Sequence, residues 1–182
     1  MHVVEFKAEL RDADLAHRLC DHIGATAAGV DRHEDTAFRI PSGRLLRRVA
    51  TPIDAGGDEE PITEYIFYDR PDIVRPRLCH AMVYNEASAR TRFGTSDLPA
   101  RATLRKQRSI YLTGPIRIHL DDVESLGRFI EFVTVVSRAH PVRRCHELVA
   151  DLRGTFDACL GEAIALSYAD LLIPHTGDAT IA

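Results

Sequence analysis

The chain has 182 residues, of which 45% are hydrophobic and 27% charged, a composition typical of a globular protein. This length predicts a single domain over residues 1–182 with enough apolar side chains for a core. The formal net charge of −4 disfavours nucleic acid as a partner. No apolar run approaches the roughly 20 residues that cross a membrane, and residues 1–10 do not match a signal peptide. We therefore expect a cytoplasmic protein without a membrane partner.

Most of the chain is predicted to form strands. Residues 2–10 alternate apolar and ionisable side chains, as a two-faced strand does. Asp12 or Asp14 can cap the helix that follows. In chain order we predict a strand at 2–10, a helix to about 23, a hairpin of 34–40 with 44–50, an acidic loop at 53–61, a strand at 64–68, a short strand at 82–84, a helix at 86–92, strands at 104–112, 116–122 and 128–136, and a helix from 141 to about 153, while residues 160–172 mix helical and extended signals.

Several of these strands carry charges of both signs on one face. Glu5 and Lys7 share a face of the first strand, because residues two apart point the same way. Lys106 and Arg108 share a face of a later strand in the same manner. Mixed charges on several strands indicate a barrel with a polar interior that holds a charged ligand. The side chains predicted to point into one shared interior are Glu5, Lys7, Lys106, Arg108, Arg117 and Glu131.

Six short motifs follow one another along nearly the whole chain. They are Val3-x-Glu5-x-Lys7, Asp35-Thr36-x-Phe38 with Gly43-Arg44-Leu45, Tyr68-Asp69-Arg70-Pro71-Asp72, Lys106-x-Arg108-x-x-Tyr111-Leu112, Arg117 to Asp121 with Leu126-Gly127-x-Phe129-x-Glu131, and Ser167-Tyr168-x-Asp170-Leu171-Leu172. In this order they resemble the CYTH superfamily, the triphosphate tunnel metalloenzymes, and within it the class IV adenylyl cyclase-like branch. The resemblance implies an α+β fold, with a closed antiparallel β-barrel, or tunnel, of about eight strands flanked by helices.

The resemblance also implies that basic side chains bind a triphosphate and that acidic ones hold Mg²⁺ or Mn²⁺. Lys and Arg suit phosphate oxygens, and divalent hard cations prefer carboxylate oxygens. His119 is either a base near neutral pH or a structural hydrogen-bond partner. The implied substrate-binding residues are Lys7, Arg48, Arg70, Lys106, Arg108 and Arg117, the implied metal ligands are Glu5, Asp121 and Glu131, and the catalytic candidates are Lys7 and His119.

Three positions depart from the pattern of this superfamily. Val3 stands where the first motif begins with Glu, Val133 stands where a second Glu follows Glu131, and Leu46 stands where Lys is usual. Fewer carboxylates predict weaker cation binding. The replacements also predict a partly apolar tunnel.

Three functions remain open at this point. The first is a cation-dependent enzyme that converts ATP to cyclic AMP and pyrophosphate. The second is a triphosphatase, in which water replaces the ribose 3′-hydroxyl in the same tunnel. The third is a remodelled tunnel, either a binding protein or a non-cyclase enzyme, for a partly apolar phosphorylated or organic ligand. The expected partner is a small phosphorylated molecule, in the first place a nucleoside triphosphate, and a homodimer is left open.

Overall fold

The computed structural model describes residues 1–54 and 60–173. Strands make up most of them, as the alternating sequence predicts. The strands are β1 (His2–Leu10), β2 (Thr26–Phe38), β3 (Arg44–Pro52), β4 (Ile62–Asp69), β5 (Arg77–Tyr84), β6 (Ala100–Thr113), β7 (Ile116–Val123), β8 (Gly127–Val135) and β9 (Leu160–Ala163), and the helices are α1 (Ala13–His22), α2 (Glu86–Phe93), α3 (Val142–Phe156) and α4 (Tyr168–Leu172). Within the described part of the chain, no helix is both long and apolar enough to cross a membrane.

β1 is the strand on which the barrel closes. The antiparallel order is β5-β4-β3-β2-β6-β7-β8-β1, and β5 pairs again with β1. The start of β1 pairs with β5, whereas its end pairs with β9, where Ala8 lies opposite Ala163. The eight strands β1–β8 therefore form a ring without an unpaired edge. This confirms the predicted closed antiparallel barrel with flanking helices.

The outer face of β1, β7 and β8 is apolar and packs against α1 and α3. Phe132 lies between Phe6 and Phe156, with ring centroids 6.1 Å and 5.4 Å away, respectively. All three rings are buried, and each contributes about 1.5–3 kcal/mol from the removal of apolar surface from water. Because neighbouring residues of a strand point to opposite faces, this packing turns the charged positions of the same strands into the barrel.

The structure shows how a capping residue and a turn glycine set the ends of two predicted elements. The carboxylate of Asp12, rather than Asp14, caps α1 by accepting a hydrogen bond of 2.8 Å from the Leu15 amide. The predicted hairpin turn at 41–43 joins β2 to β3. Gly43 adopts a φ of +71° there, and an added Cβ would lie 2.6 Å from the ring of Phe67, so this turn needs glycine.

Three predicted stretches differ from the structure. β2 begins at Thr26, well before the predicted 34–40, because a bulge between Ala27 and Gly29 interrupts the alternation. β5 spans Arg77–Tyr84, where only 82–84 was predicted, because an inward-pointing Arg77 hides the strand pattern. Residues 160–172 divide into β9 and α4. Most of the predicted acidic loop, residues 55–59, lies outside the described residues.

Candidate functional site

The barrel encloses a cavity of about 480 Å³ with a strongly basic lining. Among the described residues that line it, nine are Lys or Arg and three are Asp or Glu, although the whole chain carries a net charge of −4. They are Lys7, Arg39, Arg44, Arg48, Arg70, Arg101, Lys106, Arg108 and Arg117, together with Glu5, Asp35 and Glu131. Such an excess concentrates a multiply charged anion inside the barrel. All six side chains predicted to share one interior are in this group.

Arg108 on β6 is the centre of a buried ion network. Its guanidinium donates to both carboxylate oxygens of Asp121, from Nε to Oδ1 and from Nη2 to Oδ2, each over 2.6 Å. The same Nη2 also donates to Oε2 of Glu131 over 2.7 Å. Charge-assisted bidentate contacts of this kind are short and strong. One guanidinium thus holds the carboxylates of β7 and β8 in the interior.

Asp121 lies behind the cavity lining, and its side chain is 0% exposed. Its Oδ2 accepts further hydrogen bonds from Nζ of Lys106 at 3.1 Å and from the hydroxyl of Tyr168 at 2.8 Å. Burial by itself would raise the pKa of Asp121, but the positive charges of Arg108 and Lys106 outweigh burial and hold that pKa below its usual value. Asp121 is therefore an ionised anchor for the surrounding bases.

Glu131 is the point where Lys7, Arg108 and His119 meet. Nζ of Lys7 lies 3.2 Å from Oε1 of Glu131 and 3.8 Å from the ring centroid of Tyr168. Nδ1 of His119 lies 3.6 Å from Oε2, beyond normal hydrogen-bond distance. Burial, with the nearby Arg108 charge, lowers the pKa of His119 to about 4. The imidazole is consequently neutral at pH 7.

Lys106 has a strongly perturbed ammonium group in this network. Burial, together with the charges of Arg108 and Arg48, lowers the pKa of Lys106 to about 8, even though Asp121 opposes that shift. A fraction of these ammonium groups is therefore neutral in mildly alkaline solution. An arriving phosphate would favour the charged form again.

Glu5 is bound by two arginines. Nε of Arg70 and Nε of Arg77 each lie 2.9 Å from the same oxygen, Oε1. Arg70 also donates to the carbonyl of Ala165 at 2.7 Å, and Arg77 to the carbonyl of Ile164 at 3.1 Å. The pair therefore fixes the segment before α4 on the barrel. Sequence reasoning missed Arg77, because its neighbours are rich in proline and arginine and do not alternate.

A second acid–base pair faces the cavity from β2 and β3. Arg48 donates to both oxygens of Asp35, over 2.8 Å and 2.7 Å, and the strand register places the two residues opposite each other. His33 lies two residues away, and burial with the Arg48 charge lowers its pKa to about 2. Asp35 belonged to a motif but not to the predicted site. The sequence did offer one signal for Asp35: it lies two residues from His33, so both side chains share one face of a charged strand.

Helix α4 covers the barrel end that Lys7 faces. Tyr168 packs in an apolar cluster with Leu104, Val123 and Phe129. Ser167 and Asp170 form a capping box at the start of this helix. Asp170 in turn accepts contacts from Arg44 at 3.1 Å and Arg101 at 2.6 Å. None of Ser167, Asp170, Arg44 and Arg101 was predicted as part of the site. These residues are far apart in sequence and become neighbours only when the barrel closes and α4 packs on it.

The predicted metal ligands are not free for a cation in this arrangement. Asp121 has donors on both oxygens and no exposed surface, and Glu5 and Glu131 are each paired with basic side chains. Among the described residues, no three His, Cys, Asp or Glu side chains gather into a group that could hold a metal ion. The residues as placed therefore do not fit the divalent cation that the resemblance implies, and their role as ligands stays a prediction.

The closed barrel and the covering helix define a tunnel with a strongly basic interior. No protein-family model and no curated protein matches this sequence. Solved structures do share the fold. The PH1012 protein of Pyrococcus horikoshii superposes with a TM-score of 0.71 at 18% identity, covering 94% of this chain and 99% of that one.

Two further structures carry functional descriptions. A candidate adenylate cyclase from Vibrio parahaemolyticus has a TM-score of 0.65 at 18% identity, with 94% of this chain and 98% of that chain covered. A candidate adenylyl cyclase from Hippeastrum, described as having a dominant triphosphatase activity, has a TM-score of 0.60 at 14% identity, with coverage of 96% and 98%. At these identities the likeness concerns the fold. The fold is the one that the resemblance to the CYTH superfamily predicted.

The first testable consequence concerns the two buried histidines. Unfolded histidine has a pKa near 6.5, whereas the pKa values of His33 and His119 are lowered to about 2 and about 4. Between about pH 4 and pH 6.5 the unfolded chain therefore binds more protons than the folded one. The free energy of unfolding should therefore rise with pH in this window, by up to about 1.4 kcal/mol per pH unit for each histidine. The same contribution to stability should be lost when the solution is acidified through this window.

Urea unfolding between pH 4.5 and 7.5 measures this dependence. The double variant His33→Gln with His119→Gln should flatten the slope, whereas His22→Gln at the exposed end of α1 should retain it. An unchanged slope in the double variant would show that these histidines are not buried in the neutral form.

The second consequence concerns the cation. Because the tunnel bases contact an anion directly and the carboxylates are already paired, inorganic tripolyphosphate should bind in EDTA as well as in Mg²⁺. Isothermal titration calorimetry under both conditions is the measurement. If binding occurs in Mg²⁺ alone, Glu5 and Glu131 exchange their arginine and lysine partners for a cation, and the metal prediction holds.

Proposed function

We propose that this chain binds a nucleoside triphosphate in the tunnel and catalyses nucleotidyl transfer, converting ATP to cyclic AMP and pyrophosphate. The observation that carries the proposal is the cavity lining, with nine basic and three acidic side chains in a protein of negative net charge. The likeness of the fold to the Vibrio and Hippeastrum proteins supports an enzyme that acts on a triphosphate.

The triphosphate would lie along the basic side chains of β3, β6 and β7. Lys106 and Arg48 face the cavity from two sides of β2. Arg117 on β7 lines the cavity, is exposed, and has no ion-pair partner among the described residues, so its guanidinium is available to an incoming phosphate. Arg108 positions Asp121 and Glu131 through Nε and Nη2, and it also lines the cavity.

The reaction requires a base and stabilisation of the leaving group. In cyclisation the ribose 3′-oxygen attacks the α-phosphorus, its proton is removed, and pyrophosphate leaves with additional negative charge. His119 lines the cavity as a neutral imidazole and is the candidate proton acceptor. Its lowered pKa makes it a weak base, and the nearby carboxylate of Glu131 would stabilise the imidazolium that forms. Lys7 lies on the same lining and would stabilise the charge that develops on the leaving phosphate. No step assigned here passes through a metal ion.

Hydrolysis of the triphosphate is the second candidate function. Water would take the place of the 3′-hydroxyl, and the same basic side chains would hold the phosphates. The observation that favours it is the fold likeness to the Hippeastrum protein, whose described dominant activity is that of a triphosphatase.

Product analysis distinguishes these functions. Purified protein incubated with ATP, with and without Mg²⁺ or Mn²⁺, should yield cyclic AMP and pyrophosphate by anion-exchange chromatography and ³¹P NMR. ADP with phosphate, or AMP with pyrophosphate, would identify the hydrolase instead. Binding of ATP without turnover in any condition would leave the remodelled binding tunnel as the function.

The base assignment has its own test. His119→Gln should lower kcat by about 10²-fold or more, the usual contribution of a general base, and should leave the Kd for ATP near its original value. His22→Gln is the matched control outside the barrel. If His119→Gln weakens ATP binding by the same factor as it lowers kcat, the imidazole has a structural role.

Arg117 provides the test of phosphate binding. Arg117→Gln should weaken tripolyphosphate binding by about tenfold, since a charge-assisted contact contributes roughly 1.5 kcal/mol or more. Its removal breaks no ion pair among the described residues, unlike removal of Arg108, which contacts Asp121 and Glu131. Arg105→Gln is the control, because Arg105 is exposed and pairs with Glu34, outside the cavity lining. If Arg117→Gln and Arg105→Gln weaken tripolyphosphate binding equally in calorimetry, the anion binds outside the barrel.

A further inference from the structure

The ring of Tyr168 lies beside two lysines whose strands are not neighbours. Its centroid is 3.8 Å from Nζ of Lys7 on β1 and 5.0 Å from Nζ of Lys106 on β6. In the strand order β6-β7-β8-β1, two strands separate these lysines, so strand pairing does not by itself set their relative position. Both distances are shorter than the limit of about 6 Å within which an aromatic ring face attracts an ammonium group. Tyr168 therefore joins two cations that repel each other.

The tyrosine is itself fixed from two directions. Its hydroxyl donates to Oδ2 of Asp121 over 2.8 Å, and its ring packs on Phe129 with the centroids 5.0 Å apart. It is also the first residue of α4, which Ser167 caps. A ring with a hydrogen bond at its tip and an aromatic neighbour at its side has little freedom to turn. The ring is consequently a rigid support for the two ammonium groups.

A rigid support matters because lysine is a flexible side chain, which loses much rotamer freedom when its ammonium is held in place. The side chains of Lys7 and Lys106 are 6% and 1% exposed, so both are held before any ligand arrives. A binding site whose donors are already ordered has a lower entropic cost of binding. The support therefore favours a ligand that contacts both lysines at once.

The carboxylates of the network hold the lysines separately. Nζ of Lys7 lies 3.2 Å from Glu131, whereas Nζ of Lys106 lies 3.1 Å from Asp121. The Tyr168 ring contacts both ammonium groups, and so it relates one to the other. A phosphate chain presents several charged groups to two such cations. Orthophosphate has a single group and depends less on how two lysines are placed relative to each other.

We infer that Tyr168 is a positioning residue that makes Lys7 and Lys106 act as a pair toward a chain of phosphates. This inference rests on the proposed function and adds to it a residue that favours phosphate chains over a single phosphate. The face of the ring supplies the effect, and the hydroxyl orients the ring. Lys7 donates to the Leu166 carbonyl over a long 3.4 Å, so this N–H is the one that turns to the ligand.

Calorimetry on the full chain with tripolyphosphate and with orthophosphate, both in EDTA, tests the inference. Tyr168→Leu removes the ring and should weaken tripolyphosphate binding by about tenfold or more, because two desolvated contacts between an ammonium and a ring are lost. The same variant should weaken orthophosphate binding by less than about threefold. Tyr168→Phe keeps the ring and should bind tripolyphosphate within about threefold of the unmodified chain.

Fluorinated phenylalanines at position 168 separate the electrostatics of the ring from its packing. Fluorine withdraws electrons from the ring face and nearly preserves the ring shape, so the attraction for ammonium groups falls with each fluorine added. Starting from Tyr168→Phe, incorporation of mono-, di- and trifluorophenylalanine should lower the affinity for tripolyphosphate stepwise. This series decides the matter even if Tyr168→Leu does not fold.

Tyr84→Leu is the matched control and should alter neither affinity. The Tyr84 ring packs edge-on against Phe93 at 5.5 Å, in the cluster between the barrel and α2. Equal weakening of both anions in Tyr168→Leu, or a flat fluorine series, would show a structural role alone and overturn the inference. If the variants behave as expected and ATP is not converted, the inference stands and the proposed function fails. If the unmodified chain binds no tripolyphosphate in EDTA or in Mg²⁺, both fail.

Discussion

Pairing of buried charge is the constraint on which the rest of this structure depends. Arg108 holds Asp121 and Glu131 in the interior with contacts of 2.6–2.7 Å. Each of these ions would be costly to bury alone, and breaking such a pair by removing one partner costs about 3–5 kcal/mol. The apolar outer face of β1, β7 and β8 drives their polar face inward, so the interior charges have no alternative to finding partners. The network is the result.

The same constraint explains how the tunnel can be stable while its lining stays strongly basic. Three acidic side chains cannot neutralise nine basic ones on the lining, and the residual positive charge is what attracts a polyanion. Acids that are paired with bases keep those bases oriented before the ligand arrives, which reduces the cost of ordering them on binding. In the proposed function, the bases with the fewest internal partners, such as Arg117, are the ones expected to contact the ligand most directly.

The barrel was accessible from sequence because its signal is local. Charged residues two apart, such as Glu5 with Lys7 and Lys106 with Arg108, specify which face of each strand points inward. The sheet can then close into a barrel once helices cover its apolar outer face. The order of short motifs added the expected topology. The first part of β5 escaped prediction because Arg77, buried and bound to Glu5, reads in sequence as an exposed charge.

The parts that could not be predicted depend on contacts between distant segments. A carboxylate such as that of Asp121 is a common metal ligand. Only the structure shows that its oxygens already accept hydrogen bonds from Lys106, Arg108 and Tyr168. The carbonyls of residues 164 and 165 bind Arg77 and Arg70 from across the fold, which no spacing reveals. The separate replacements at Val3 and Val133 likewise come onto neighbouring strands only after β1 pairs with β8, where Val3 lies opposite Val135 and Val133 opposite Glu5.

The central claim is that phosphates bind inside the barrel on the basic side chains. A crystal structure of the protein soaked with a nonhydrolysable ATP analogue tests it most directly. The predicted result is a phosphate chain within hydrogen-bond distance of Arg48, Lys106 or Arg117. An analogue bound at saturating concentration only on the outer surface of the barrel, with the interior ion pairs unchanged, would contradict the claim.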